Sequence, residues 1–307
     1  MIPTSAYVIV YHYVVTKVGV PVLGPAEVAS VLGVALLLGW IARRVWLPGR
    51  RWEPTAWAER TGVTLTPRNE ALVRAYLVRT RDLRLVGAVG GFLAPHLYAA
   101  ARGEQLPIPF DFDLFDALIG YLLGAVGAEI TLTRPRSPVP SASLAPRELS
   151  DYLPRWLTNA LRASAGASLA VVMLYRALPE PLVGVDPSMP PTLVIATAVM
   201  AVLVGVEAAQ RHIVRRPQPA ADADILEADD AIRSASVRAL AGAGIALELI
   251  ILSVHLVEIG TASTIQLLRW SLPWLGAGCF VLAISSWVHI TQPTRSTATA
   301  RTHVVHP

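Results

Sequence analysis

The sequence predicts an all-α fold, a polytopic transmembrane helix bundle of about seven spans. Three observations predict it. Seven stretches are apolar for about the ~20 residues that cross a ~30 Å hydrocarbon core. The segments between them alternate between arginine-rich and arginine-poor. The 307 residues are 53% hydrophobic and only 16% charged, with a mean hydropathy of +0.50, a balance typical of membrane bundles and rare in soluble domains.

The predicted spans are 27–46, 83–101, 112–132, 159–178, 191–210, 237–257 and 267–290. Residues 1–26 precede them as an extracytoplasmic or interfacial segment; an eighth span at 1–23 is the alternative. This segment lacks the basic start and small-residue cleavage site of a secretory signal. Spans one to three, with the polar segment 47–82, form a first unit over 27–132. A linker and the fourth span occupy 133–178. Spans five to seven, with the polar segment 211–236, form a second unit over 179–290, and 291–307 is a tail.

Arginine sets the orientation. Arg50, Arg51, Arg60, Arg68, Arg74, Arg79 and Arg81 lie in the first polar segment, and Arg134, Arg136, Arg147 and Arg155 in the second. Arg211, Arg215, Arg216 and Arg233 lie in the third, and Arg295 and Arg301 in the tail. The opposite side holds only Arg102 and Arg269, seventeen against two. The positive-inside rule then places the C-terminus in the cytoplasm and the N-terminus outside. The Ala-, Val-, Leu- and Arg-rich composition points to a bacterial inner membrane. Trp40, Trp46, Trp156 and Trp287 fall near inner boundaries, and Trp270 and Trp274 near an outer one, where amphipathic rings anchor.

Local signals refine the polar segments. Thr66 and Pro67 mark a helix start, so that the run from Asn69 to Arg84 feeds the second span as one long helix. Pro135, Pro138 and Pro140 make 133–144 an irregular linker. Asp222 or Asp224 can cap a helix that continues into the sixth span. The acidic run Asp222, Asp224, Glu227, Asp229 and Asp230 reads as a solvated helix face.

An offset of 154 residues aligns Arg79 and Arg84 with Arg233 and Arg238, and Gly90 with Gly244. Spans one to three and five to seven would then be parallel three-helix units joined by the fourth span. In helix order this layout resembles the SWEET sugar transporters. The resemblance implies that arrangement of units and carries no motif or site residue.

Chemistry-bearing motifs are few. The chain has no GxxxxGK[ST] loop, no HExxH and no GxSxG elbow, so no catalytic residue, metal site or cofactor is assigned. Cys279, the sole cysteine, excludes an internal disulfide and reads as a packing residue. The charge pattern gives no nucleic-acid surface. Gly120 and Gly124 form a GxxxG with Gly127 beyond them, and Gly87, Gly90 and Gly91 line the second span; such glycines let helices pack closely, within one bundle or in an oligomer.

Ionisable residues inside spans are costly in lipid and point to function. Glu248 is central in the sixth span, His255 lies two turns further on, and His96 follows Pro95 in the second. Together they form the candidate intramembrane polar site. Glu129 and Glu207, near inner span ends, read as reaching headgroups or water. Arg79, Arg84, Arg233 and Arg238 are the candidate contacts to anionic lipid or a cytoplasmic partner. The function class this implies is a transporter or the membrane subunit of a transport system, served by membrane lipids and, where ATP drives it, by a separate ATPase chain. The alternative is a non-transporting scaffold or sensor that recruits a cytoplasmic partner.

Overall fold

A computed structural model describes residues 52–102, 114–131, 147–177, 192–216 and 222–292. Among these the chain is helical, with no strand. The helices are α1 (Pro54–Thr61), α2 (Glu70–Ala101), α3 (Leu114–Ile130), α4 (Arg155–Ala177), α5 (Thr192–Arg215), α6 (Ala223–Ala262) and α7 (Gln266–Ile290), with one 3-10 turn at Leu149–Asp151. Helices α4 to α7 are long and apolar enough to cross a membrane. This architecture is compatible with an integral membrane protein. The expected first span, the segment before it, the proline-rich linker and the tail lie outside the described residues.

Two helices are longer than a bilayer needs. The 40 residues of α6 extend ~60 Å at ~1.5 Å per residue, about twice the hydrocarbon thickness. The 32 residues of α2 extend ~48 Å by the same rise. Both project at the arginine-rich end, where α1 covers them. Trp57, Ala58 and Val63 pack there on Val73, Tyr76 and Leu77 of α2 and on Ala228, Ala231 and Ile232 of α6. Gly62 ends α1 at φ 77°, its N–H returning to the Ala58 carbonyl at 2.8 Å. A side chain is disfavoured in that left-handed cap.

The start of α2 follows its sequence signal. Thr66 N–H donates to Asn69 Oδ1 at 2.8 Å, and Asn69 N–H donates to Thr66 Oγ1 at 3.3 Å, a reciprocal cap. The fully buried Asn69 also donates to the Thr64 carbonyl at 2.8 Å and the Asp224 carbonyl at 3.2 Å. Thr66 Oγ1 donates to Asp224 at 2.6 Å, and Arg68 pairs with Asp222 at 2.6 Å. The starts of α2 and α6 are therefore fastened together.

These contacts correct the reading of the acidic run as a solvated face at Asp229 and Asp230, whereas Asp222 stays exposed as expected. Asp222 and Asp224 bind α2, and the buried Asp229 pairs with Arg233 at 3.0 Å. Asp230 accepts from Tyr152 at 3.3 Å and lies 4.0 Å from Arg147. Burial, with Asp230 beside it, pushes the Tyr152 phenol up to about 12. Asp222, Asp224 and Asp230 find these partners because the start of α2 and the turn before α4 close around the start of α6.

Helix α6 is the axis of the bundle. Of its most apolar window 78% is buried, against 33% for α4, 17% for α5 and 22% for α7. One core joins Leu157 and Leu161 of α4, Val206 and Ile213 of α5, and Leu240 and Ile245 of α6. A second joins Leu252 and Leu256 of α6 to Cys279 of α7, which packs as expected. The outer helices turn Leu85, Val86, Leu193, Val204, Leu267, Trp270 and Trp274 outward. Such an apolar exterior is unfavourable in water and suited to lipid.

Helices α2 and α3 form a close antiparallel pair. Cβ atoms built at Gly87 and Gly91 would strike the carbonyl oxygens of Gly120 and Asp116, and those built at Gly120 and Gly124 would strike the carbonyl oxygens of Gly87 and Leu83. Two GxxxG stretches thus interlock within one chain. Gly90 and Gly127 face open space instead. The aligned pair of the proposed repeat is also unlike: Gly244 sits against Leu161 and Val206, where Gly90 touches nothing.

Candidate functional site

The candidate residues fall into two places. The first is the middle of the bundle. Glu248 is fully buried on α6, and neither carboxylate oxygen has a hydrogen-bond partner. Its backbone carbonyl accepts from Ser168 of α4 at 2.8 Å. Small residues Ser164, Ala165 and Ser168 make this face of α4, allowing the close approach to α6. His255 is buried too, with Nδ1 2.8 Å from the Ile251 carbonyl and Nε2 without a partner. Two turns, about 10.5 Å of helix rise, separate it from Glu248, and no hydrogen bond or ion pair joins them. His96 lies on α2 beyond Pro95, through which the helix continues; its side chain lies outside the described residues.

The second place is the arginine-rich end. Glu129 of α3 is fully buried and does not reach headgroups or water. Arg84 Nη2 lies 3.6 Å from Glu129 Oε1, and Tyr76 donates to the same oxygen at 3.4 Å, with Ser236 beside it. The Arg84 guanidinium lies between two indoles, 5.7 Å from the Trp52 ring and 5.2 Å from the Trp287 ring. Trp287 in turn meets Tyr121 edge-on at 5.7 Å. Trp287 is therefore a buried packing partner and not the interface anchor its position implied. The exposed Trp156, Trp270 and Trp274 keep outward positions.

Arg233 is the largest fully buried side chain. Its Nη1 reaches the carbonyls of Ile213, Val214 and Arg216 at 3.1, 3.3 and 2.8 Å. It thereby closes the C-terminal end of α5, where carbonyls lack intrahelical donors and a cation is favoured. Arg84 and Arg233 thus point into the bundle, whereas Arg79 and Arg238 are half-buried at its edge. Glu207 serves as an inter-helix bridge, accepting from Arg162 of α4 at 2.7 Å and from Arg211 at 2.8 Å.

Between these elements lies a cleft of about 540 Å³. Its walls come from α2 (Leu72, Tyr76, Arg79), the end of α5 (Ile213, Arg216) and α6 (Ile232, Ser236). Tyr76 and Ser236 connect its floor to the buried Glu129–Arg84 pair. Sequence reading missed Arg216 and the partnership of Glu129 because both depend on which helices meet. Their sequence signals, an arginine closing a span and an acid one turn after Gly124 and Ala125, fit many roles. Comparison with protein-family models, curated proteins and solved structures returned no match.

Proposed function

We propose that this chain is a transporter, or the membrane subunit of a transport system, in a bacterial inner membrane with its arginine-rich end in the cytoplasm. Glu248 carries the reading. A carboxyl that served only to hold helices together would be given a donor, because an unsatisfied buried polar group costs about 1–3 kcal/mol. Here the Ser168 hydroxyl, which lies beside the carboxyl, donates to the Glu248 backbone carbonyl at 2.8 Å. The carboxyl is left for a proton or a cation, whose arrival removes the cost of charge at mid-membrane. His255, two turns along α6 with an orphan ring nitrogen, supplies a second polar station in the same buried helix. Energy from ATP would have to come from a separate chain.

Proton flux into liposomes tests this. Full-length protein is reconstituted with a trapped pH dye, a potassium diffusion potential is imposed, and pooled sugars, amino acids and metal ions are added outside. Wild type should acidify the lumen, and Glu248→Gln should reduce the rate to that of empty liposomes while inserting normally. No wild-type flux, or equal flux from the variant, overturns the reading.

The packed cap of α1 on the extensions of α2 and α6 favours a second reading, a scaffold that recruits a cytoplasmic partner. Under it Glu248→Gln would be silent.

Sidedness has its own test. Reporter fusions after Arg147 and Arg216 should score cytoplasmic, and those after Glu104 and Asp186 extracytoplasmic. Swapped activity at two of these sites would end the seven-span assignment.

A further inference from the structure

We propose that Glu129 is the cytoplasmic proton outlet of the bundle, exchanging protons with the cleft between α2, the end of α5 and α6 through the hydroxyls of Tyr76 and Ser236. The proposal rests on the transport reading of Glu248 and gives its proton a route on the arginine-rich side.

Connection is the first argument. Tyr76 and Ser236 line the cleft. The Tyr76 hydroxyl also donates to Glu129 Oε1 at 3.4 Å, and Ser236 lies within hydrogen-bonding reach of both Glu129 and Tyr76. Two hydroxyls thus have the cleft on one side and a fully buried carboxyl on the other. A hydroxyl both donates and accepts, so it can pass a proton in either direction. The inner boundaries read from the sequence include Asp82/Leu83 and Ser236/Val237. Asp82, Leu83 and Ser236 all line the cleft, which therefore opens at the edge of the membrane.

The carboxyl itself is the second argument. A carboxylate kept only to neutralise Arg84 would be gripped through both oxygens, as in a guanidinium–carboxylate fork. Instead Arg84 approaches Oε1 alone, at 3.6 Å, and Oε2 is buried without a hydrogen-bond partner. Arg84 is held independently, between Trp52 and Trp287 and beside Tyr121, so it stays in place when Glu129 gains or loses a proton. Arg216, at the end of α5, also acts on the carboxyl.

On release, a hydroxyl oxygen takes the carboxyl proton while its own proton passes to water in the cleft. The carboxylate left behind has its charge balanced by Arg84 and Arg216. Uptake runs the same steps backwards. Ser236 lies on α6 twelve residues before Glu248, about 18 Å of helix rise. Glu248 then holds the proton at mid-membrane, and Glu129 hands it over at the inner end.

Proton flux into liposomes and infrared titration of the full-length protein test the outlet. No wild-type flux overturns the transport reading and the outlet with it. Given that flux, Glu129→Gln should bring it to the rate of Glu248→Gln, and so should Tyr76→Phe combined with Ser236→Ala. Ala75 is exposed on the cleft wall. Ala75→Cys should lose flux when a bulky methanethiosulfonate is attached before reconstitution, and regain it on reduction. Wild type, whose Cys279 is buried, should ignore the reagent. This arm holds even where Glu129→Gln fails to fold. Infrared difference spectra should show a pH-dependent carboxylic-acid C=O band that is kept in Glu248→Gln and shifted in frequency by Tyr76→Phe. Three results would each overturn the outlet and leave the reading of Glu248 standing. They are wild-type flux in Glu129→Gln, unchanged flux after blocking at Ala75→Cys, and the lack of a band that Tyr76→Phe shifts.

Discussion

Arg233→Met should lower the melting temperature of the detergent-solubilised chain by roughly 10 °C, a shift corresponding to several kcal/mol in a domain of this size. Two losses combine. Asp229 loses the guanidinium that pairs with it at 3.0 Å, and removing one partner of a buried pair costs about 3–5 kcal/mol. The carbonyls of Ile213, Val214 and Arg216 lose the donor that closes α5. Arg233→Lys should recover only part of the loss, because one ammonium cannot serve Asp229 through Nε and the α5 carbonyls through Nη1 as the planar fork does. The double change Asp229→Leu with Arg233→Met should melt higher than Arg233→Met alone, since an apolar pair leaves no buried charge. A single variant that melts with wild type would mean that Arg233 reaches solvent and that the closure of α5 is not structural.

The contrast between Arg233 and Arg79 shows how far the sequence could be read. Both precede a predicted span at equivalent positions of the 154-residue offset, and both fit the positive-inside pattern. One became a buried closure for a neighbouring helix and the other an edge of a cleft. Which occurs depends on where the end of α5 lands, a tertiary fact that hydrophobic periodicity does not encode. Helix identity was far more legible. The predicted spans two to seven each fall on a helix, α2 to α7, and four of these, α4 to α7, are long and apolar enough to cross a membrane, because unbroken apolar runs of that length have few other solutions. The continuous helices from Asn69 and from Asp222 were legible for a local reason, a capping residue followed by an uninterrupted helical stretch.

The candidate site was legible in part. Glu248 stood out because a carboxylate in an apolar run is costly wherever it points, and α6 buries it. Its placement beside Ser168 depends on the small-residue face of α4, which a sequence pattern alone does not pair with α6. Glu129 shows the limit most clearly. A position near the end of a span looks hydrated, yet α2 and α6 extend beyond the span and cover it with Tyr76, Arg84 and Ser236. The same extensions tie Asp222 and Asp224 to the residues that start α2, Asp230 to Tyr152 and Arg147, and Asp229 to Arg233 of its own helix.

Gly120→Ala and Gly127→Ala should shift stability in opposite directions, although both glycines follow the spacing of one predicted helix face. In an open helical position, alanine is favoured over glycine by about 1 kcal/mol. Gly127 is such a position, with nothing within 4 Å of a built Cβ. Its alanine variant should melt at or slightly above wild type. At Gly120 the same methyl group would strike the Gly87 carbonyl oxygen and lie 2.7 Å from Gly91 Cα. Those atoms are backbone and cannot move aside as a side-chain tip would. Helices α2 and α3 must separate, and overpacking of this kind costs about 1–3 kcal/mol. Separation would also shift Arg84 relative to Glu129, since these ride on the same two helices. Gly120→Ala should therefore melt several degrees lower and show altered tryptophan fluorescence, because Trp52 and Trp287 stack on the Arg84 guanidinium. The loss should be independent of protein concentration, as the clash lies within one chain. Identical melting of the two variants would refute the interlocked α2–α3 pair. A loss that vanished on dilution would instead place the GxxxG stretches at an interface between chains.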